Sequence, residues 1–498
     1  MRVRSAGTRK EEVVTMDPGQ ARFDPRDLYG SVIAAPLLDD MREQPPAALH
    51  KVVIDLHFGY PAGRAAAAQA VRGYIQRATD TSDDEGVDDG LAQYVLARLT
   101  ANSIREVVRL DRAAADAGTG RAIYRIWPDF TIGPLINRSA ATVKADAAHA
   151  SFTARGAGIV WAVVDSGIDG RHMHFRTHGT LDVTLPVRHL DCTGGNSPLT
   201  DEFGHGTHVA GIIAGEGIGT TAQPLNAVRA EIDDNGDVNY HAEPVTGMAA
   251  MAPLCRLVGY KVLDDGGDGQ TSSIMAALKD IQEVNNHGRD IKIHGVNLSV
   301  GYPFDPKWFA CGESPVCQEV TRLVHSGVVV VVAAGNTGYG YNLDFVKGNV
   351  AAGLDLTIND PGNAEAAITV GSTHRDMPHR YGISYFSSKG PTGDGRAKPD
   401  VVAPGERILS CATGRALADI AAKGDVTGPV DYVEDSGTSM AAAHVSGVVA
   451  AFLSVRREYI GEPGAIKTIF TDTATDLGRV TNFQGHGLID LMRAIQSV

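Results

Sequence analysis

Long apolar runs are missing from this sequence. None approaches the roughly 18 consecutive apolar residues of a membrane-spanning helix, so no membrane partner is expected. Positive charge is in deficit: 45 Lys and Arg stand against 59 Asp and Glu, for a net charge of −14. Neutralising phosphates takes a basic patch, so nucleic acid is not an expected partner and the acidity reads as serving solubility. Cysteine is sparse. Cys192, Cys255, Cys311, Cys317 and Cys411 form no CxxC pair of the kind that holds a metal, and none has the surroundings of a nucleophile. Reduced structural thiols are expected, with a local bridge between Cys311 and Cys317 permitted but not required. The opening residues, MRVRSAGTRKEEVVTMDPGQ, are charged where a secretory signal carries its apolar segment. A cytoplasmic protein is expected; a misassigned start or a non-standard export route would overturn that. No internal repeat is present.

At 498 residues the chain has room for one large α/β domain and a smaller one. Residues 1–48 are polar and punctuated by proline, and read as an extended leader. A compact pattern follows over residues 49–138. KVVIDLHF alternates like a strand, Arg64 to Arg77 has a helical apolar face, and Tyr94 to Thr100 is a second strand. Asn102 is placed to cap a second helix, and AIYRIWP is a third strand. Strand–helix–strand–helix–strand predicts a small α+β sandwich.

From Gly156 the texture changes to short continuous apolar runs: IVWAVV, LVGYKVL, IHGVNLSV, VVVVVAA and AITV. Alternating with helical patterns, such runs predict a parallel sheet buried on both faces. In open sheets of this kind ligands bind beyond the carboxyl ends of the strands. Three polar residues stand at such positions or at a loop that runs into a helix. Asp165 follows IVWAVV, His205 lies in DEFGHGTHVAGIIAG, and Ser439 lies in DSGTSMAAAHVSGVVAAFL. A nucleophile, a base that takes its proton near neutral pH and a carboxylate orienting that base are what peptide hydrolysis needs.

Here the residues closely resemble the subtilase (subtilisin-like) family. The order Asp, His, Ser is the subtilisin order. GHGTHVAG, GTSMA, VVVAAGN ending in Asn336, and YFSSKGPTGDGRAKPDVVAPG are further matches, over roughly residues 139–498. The resemblance implies a serine endopeptidase that requires no cofactor for its chemistry. Ser439 is the implied nucleophile, His205 the base, Asp165 its orienting carboxylate and Asn336 a donor to the oxyanion. Taken singly, an aspartate after a strand is more often a cap and AAGN more often a turn; five motifs in order weigh against that. His208 and His444 are read as packed motif histidines. For substrate the resemblance points to Ser299, Val300 and Gly301 at the primary pocket, to Gly267 and Gly269 on the opposite edge strand, and to Asn359 at the pocket floor.

The N-terminal α+β segment resembles the family's propeptide, which implies a zymogen inhibited by its own N-terminal domain and self-cleaved between Thr131 and Arg138. A permanent regulatory domain is the competing reading. Two departures stand out. The family usually has proline where this chain has Ala443. Gly215 to Thr246 is a long insertion, in which Asp233, Asp234, Asn235 and Asp237 are oxygen ligands of the type structural calcium takes. Their spacing matches no EF-hand, and a solvated acidic loop is the preferred reading. Against the endopeptidase stand a non-catalytic peptide-binding scaffold on the same fold, and a protease making one regulatory cut inside the cell.

Overall fold

The computed structural model describes residues 32–34, 37–38, 41–42, 44–79, 93–128, 138–220, 222–232, 238–305, 311–344 and 348–498. The chain forms two compact units, Met1–Pro134 and Leu135–Val498.

In the first unit the elements are β1 (Leu49–Leu56), α1 (Arg64–Ala78), β2 (Tyr94–Thr100), α2 (Ala101–Asp116) and β3 (Ile123–Pro128). The antiparallel sheet runs β2-β1-β3. Strand alternation buries Val52, Ile54 and Leu56, against which α1 packs Val71 and Ile75 and α2 packs Ile104 and Val107. The cap of α2 is Thr100 rather than Asn102: the Thr100 hydroxyl accepts the Ser103 N–H at 3.2 Å. The segment read as a polar leader contributes to this core, because Ile33, Leu37 and Met41 are buried in it. Backbone bonds from Ala34 to Ile126 and from Ile126 to Val32 lay part of it alongside β3.

The main elements of the second unit, in chain order, are β4 (Val160–Asp165), β5 (Leu190–Asp191), α3 (His205–Ile213), β6 (Leu225–Ile232), β7 (Val238–Val245), β8 (Arg256–Lys261), β9 (Gly295–Leu298), β10 (Val329–Ala333), β11 (Ile368–His374), β12 (Val401–Glu406), β13 (Ile408–Cys411), α4 (Gly414–Lys423), β14 (Tyr432–Asp435) and α5 (Thr438–Val455). Seven strands form a parallel sheet in the order β12-β11-β10-β9-β4-β8-β5. The unit is thus α/β, with helices on both faces of a parallel sheet. The apolar runs are continuous because both faces are covered. Trp161 and Val163 of β4 enter the core around α3 and α5, while Ala162 and Val164 enter the core formed with Ile274, Leu278, Val320 and Leu323 on the other side.

Helix α5 has the length and mean hydropathy of a membrane span, but 89% of it is buried inside the chain, so it is the core helix of this unit. β6 and β7, within the Gly215–Thr246 insertion, join β13 and β14 in a second sheet, β13-β14-β6-β7, beside α4. After β4 the chain moves to one side of it, to β5 and β8, then crosses to β9 and continues outward on the other. That reversal places the end of β4 at the switch point where a crevice opens.

Candidate active site

Asp165 is the last residue of β4 and is fully buried. Its Oδ1 accepts the Nδ1–H of His205 at 2.7 Å and the Ser166 N–H at 2.8 Å. A carboxylate only accepts, so the bond fixes the proton on Nδ1 and leaves Nε2 directed elsewhere. Burial alone would lower the His205 pKa. The charge and hydrogen bond of Asp165, with the charges of Asp435 and Asp201, outweigh it and raise the pKa to about 9.

Asp201 sets the start of α3. Its Oδ1 accepts the Gly204 N–H and the Ser166 hydroxyl, and its Oδ2 accepts the N–H and hydroxyl of Thr207, all at 2.7–2.8 Å. Two residues flanking His205, Gly204 and Thr207, and the residue after Asp165 are thereby tied to one carboxylate. Gly206 is required here, because a Cβ would collide with the Gly167 carbonyl and press on Asp165. Gly204 has φ +95° and would place a Cβ 2.7 Å from the Thr413 carbonyl. The sequence reading missed Asp201 and Ser166. The signal for Asp201 was present as an aspartate just ahead of a helix start, the pattern of an N-terminal cap.

Ser439 lies in the first turn of α5, where backbone N–H groups have no intrahelical partner and the helix dipole favours negative charge. Its hydroxyl donates to the Ser299 carbonyl at 3.2 Å, and no hydrogen bond joins it to His205 in this state. The Ser299 hydroxyl donates to the Ser439 carbonyl at 3.1 Å and accepts from Asn297 Nδ2 at 2.8 Å. Asn297 accepts in turn from Ser446, two turns further along α5. This chain of buried bonds, also missed on the sequence, fixes the helix start to the end of β9.

Asn336 follows β10. Its Oδ1 accepts both the N–H and the hydroxyl of Thr438, at 2.9 and 3.0 Å. Two donors on the oxygen settle the amide orientation and turn Nδ2 away from Thr438. Nδ2 lies 3.4 Å from the place a Cβ on Gly437 would take, beside Ser439.

Gly301 is pressed against the Asp360 backbone, Tyr302 pairs with Asp360, and Val300 is half-buried on the sheet core. Asn359 sits behind the Asn336 loop: Thr337 donates to its Oδ1 at 3.1 Å, and a Cβ on Gly335 would meet its amide group. Gly267 (φ +87°) packs on the Phe203 ring, which lies 6.4 Å from the His205 ring, and Gly269 bridges to Leu263. Two cavities flank the site. One, of about 340 Å³, is bounded by His205, Asp435 and α4; the other, of about 400 Å³, by Asn336, Phe386, Arg407 and Ser436.

His208 and His444 are buried and donate to the carbonyls of Val433 and Met440. Burial lowers the pKa of both, that of His444 to about 4, so they are neutral packed groups. Cys192, Cys255, Cys311, Cys317 and Cys411 are all free thiols. Asp233, Asp234, Asn235 and Asp237 lie outside the described residues, as does the segment 129–137. Among the described residues no group of three or more His, Cys, Asp or Glu side chains is placed to hold a metal ion.

A carboxylate–imidazole pair at the switch point of a parallel sheet, beside a serine at a buried helix start, defines an α/β protein of the hydrolase kind. The chain belongs to the subtilase family, whose model matches residues 156–487. It is 28% identical over 320 residues to the serine protease AprX of Bacillus subtilis, covering 62% of this chain and 61% of that one. It is 27% identical over 354 residues to subtilisin DY of Bacillus licheniformis, covering 71% of this chain and 96% of the relative. Among solved structures, that of MycP1 with its N-terminal propeptide removed is similar at 24% identity and a TM-score of 0.47, covering 72% of this chain and 96% of that one. Family membership makes the chain a subtilisin-like serine endopeptidase, a class that needs no cofactor for catalysis.

Proposed function

We propose that the protein hydrolyses peptide bonds through an acyl-enzyme on Ser439. In the first step the Ser439 hydroxyl turns from the Ser299 carbonyl toward His205 and attacks the scissile carbonyl carbon while Nε2 takes its proton. The C–N bond then breaks as the imidazolium returns that proton to the departing amine. Water repeats the sequence to release the acid and restore Ser439. Asp165 holds the imidazole tautomer and stabilises the imidazolium. Asn336 Nδ2 and the Ser439 N–H stabilise the oxyanion.

The observation that carries this reading is the 2.7 Å Asp165–His205 bond, held at the same sheet edge as a serine whose neighbour Thr438 orients the Asn336 amide. An extended substrate would pair between Ser299–Gly301 and Gly267–Gly269, with Asn359 supporting the base of the pocket and an apolar residue favoured before the cut.

The first unit is read as a propeptide that inhibits the second and is cut off between Thr131 and Arg138. Its separate core, and the start of the family match beyond it at residue 156, support that reading. Intact mass and peptide hydrolysis of wild type and Ser439→Ala, followed over time, test both parts. Hydrolysis and loss of the first unit in wild type alone are expected. Equal hydrolysis in the variant would overturn the assignment of Ser439, and active wild type that keeps its full mass would overturn self-processing.

A further inference from the structure

The cavity beside His205 is built by elements that neither substrate-pairing segment supplies. Its floor is Tyr240 of β7, Val433 of β14, and Ala416 and Ile420 of α4; Asp435 and Asp419 stand at its mouth. At about 340 Å³ it has room for one long side chain. We propose that it is a leaving-group-side subsite, selecting a lysine or arginine at the first residue after the cut. The proposal rests on the endopeptidase reading above and specifies its substrates.

Position and charge both point this way. The acyl half of a substrate would run between Ser299–Gly301 and Gly267–Gly269, and none of those residues lines this cavity. His205 does line it, and His205 is the group that would protonate the departing amine. Phe203, wedged between Gly267 and His205, divides the two halves. The flanking cavities are lined by consecutive residues, Asp435 in one and Ser436 in the other. Successive side chains of an extended peptide also face opposite ways, so the first residue after the cut would enter one cavity and the second the other.

The charge around the mouth is not neutral. Arg415 and Asp419 are four residues apart on α4, each exposed. Glu434 is compensated by Arg375, Arg407 and Arg229. Among the described residues no Lys or Arg pairs with Asp435: its Oδ1 accepts the adjacent Ser436 N–H, and its charge bears on His205 and His208, so it stands unbalanced in the neutral-His205 form that catalysis uses. An apolar floor under an acidic mouth suits a side chain with a methylene stem and a cationic tip.

The test is a quenched-peptide library with a fixed acyl half and each residue type in turn at the first position after the cut. Full-length enzyme is used, and its labelling by a fluorophosphonate is read in parallel. Lys and Arg are expected to exceed Asp and Glu by about tenfold in kcat/KM. Asp435→Asn combined with Asp419→Asn should erase that ratio, and Ala416→Arg should invert it. The preference for residues before the cut should stay as in wild type. A labelled, active enzyme with a flat profile at this position, or one whose cation preference survives the double substitution, overturns the subsite alone. An enzyme that neither labels nor cleaves overturns the endopeptidase reading together with it.

Discussion

At the amino end of the central strand β4, Trp161 lies fully buried against Gly295, so close that a Cβ on that glycine would overlap the indole. Four residues along, at the carboxyl end, Asp165 meets His205. The first end is packed by shape and carries no chemistry. The second is packed by hydrogen bonds to the groups proposed to carry the chemistry: Asp201 holds the helix of His205, Asn297 holds Ser299, and Thr438 holds Asn336. A parallel sheet thus separates stability from activity along one strand. The helix starts and loop polar groups converge only at its carboxyl edge.

Substitutions at the two ends should therefore have opposite signatures. The largest effect is expected at the serine: Ser439→Ala should cost about 10⁶-fold in kcat, a magnitude known from subtilisin itself, while the unfolding midpoint barely moves. A large loss of stability in that variant would break the contrast. Asp165→Asn should lower kcat by about 10⁴-fold through the wrong imidazole tautomer, and steady-state assays over a pH series would read it. Asn336→Ala should cost about 10²–10³-fold in kcat with KM little changed, again a figure measured on subtilisin. At the opposite end, Trp161→Ala should destabilise by about 3–5 kcal/mol in denaturant titrations yet leave kcat per folded molecule near wild type. The smallest and most discriminating effect concerns pH. With His205 raised from 6.5 to about 9, kcat/KM should climb as pH rises toward 9, because the base must be neutral to act. The stability contribution of the same group runs the other way. It is complete below the unfolded value of 6.5 and is lost as pH rises through about 9. A kcat/KM profile already flat above pH 7 would contradict this balance of charges around His205.

The sheet was legible in the sequence because both its faces are buried, which writes each inner strand as an unbroken apolar run. The edge strand β5, two residues long, and β12, inside a proline- and glycine-rich motif, left no such signature. Asp165, His205, Ser439 and Asn336 could be picked out as candidates from motifs, since their neighbours are constrained by glycine and by close backbone approach. The groups that hold them could not. Ser166, Asn297 and Ser446 act through contacts between segments up to 149 residues apart, of which one sequence carries no mark, and Asp201 showed only as an aspartate ahead of a helix start. The α4 segment was invisible as a wall of the site for the same reason, and Ile33, Leu37 and Met41 were hidden in a leader that is polar on average.

The most direct test of the central claim is to map a covalent adduct. Wild-type protein treated with a fluorophosphonate, digested and sequenced by mass spectrometry, should carry the modification on the peptide containing Ser439 and on no other serine. Modification should fade when His205 is replaced by alanine. An adduct on a different residue, or peptide hydrolysis that persists with Ser439 unmodified, would contradict the account.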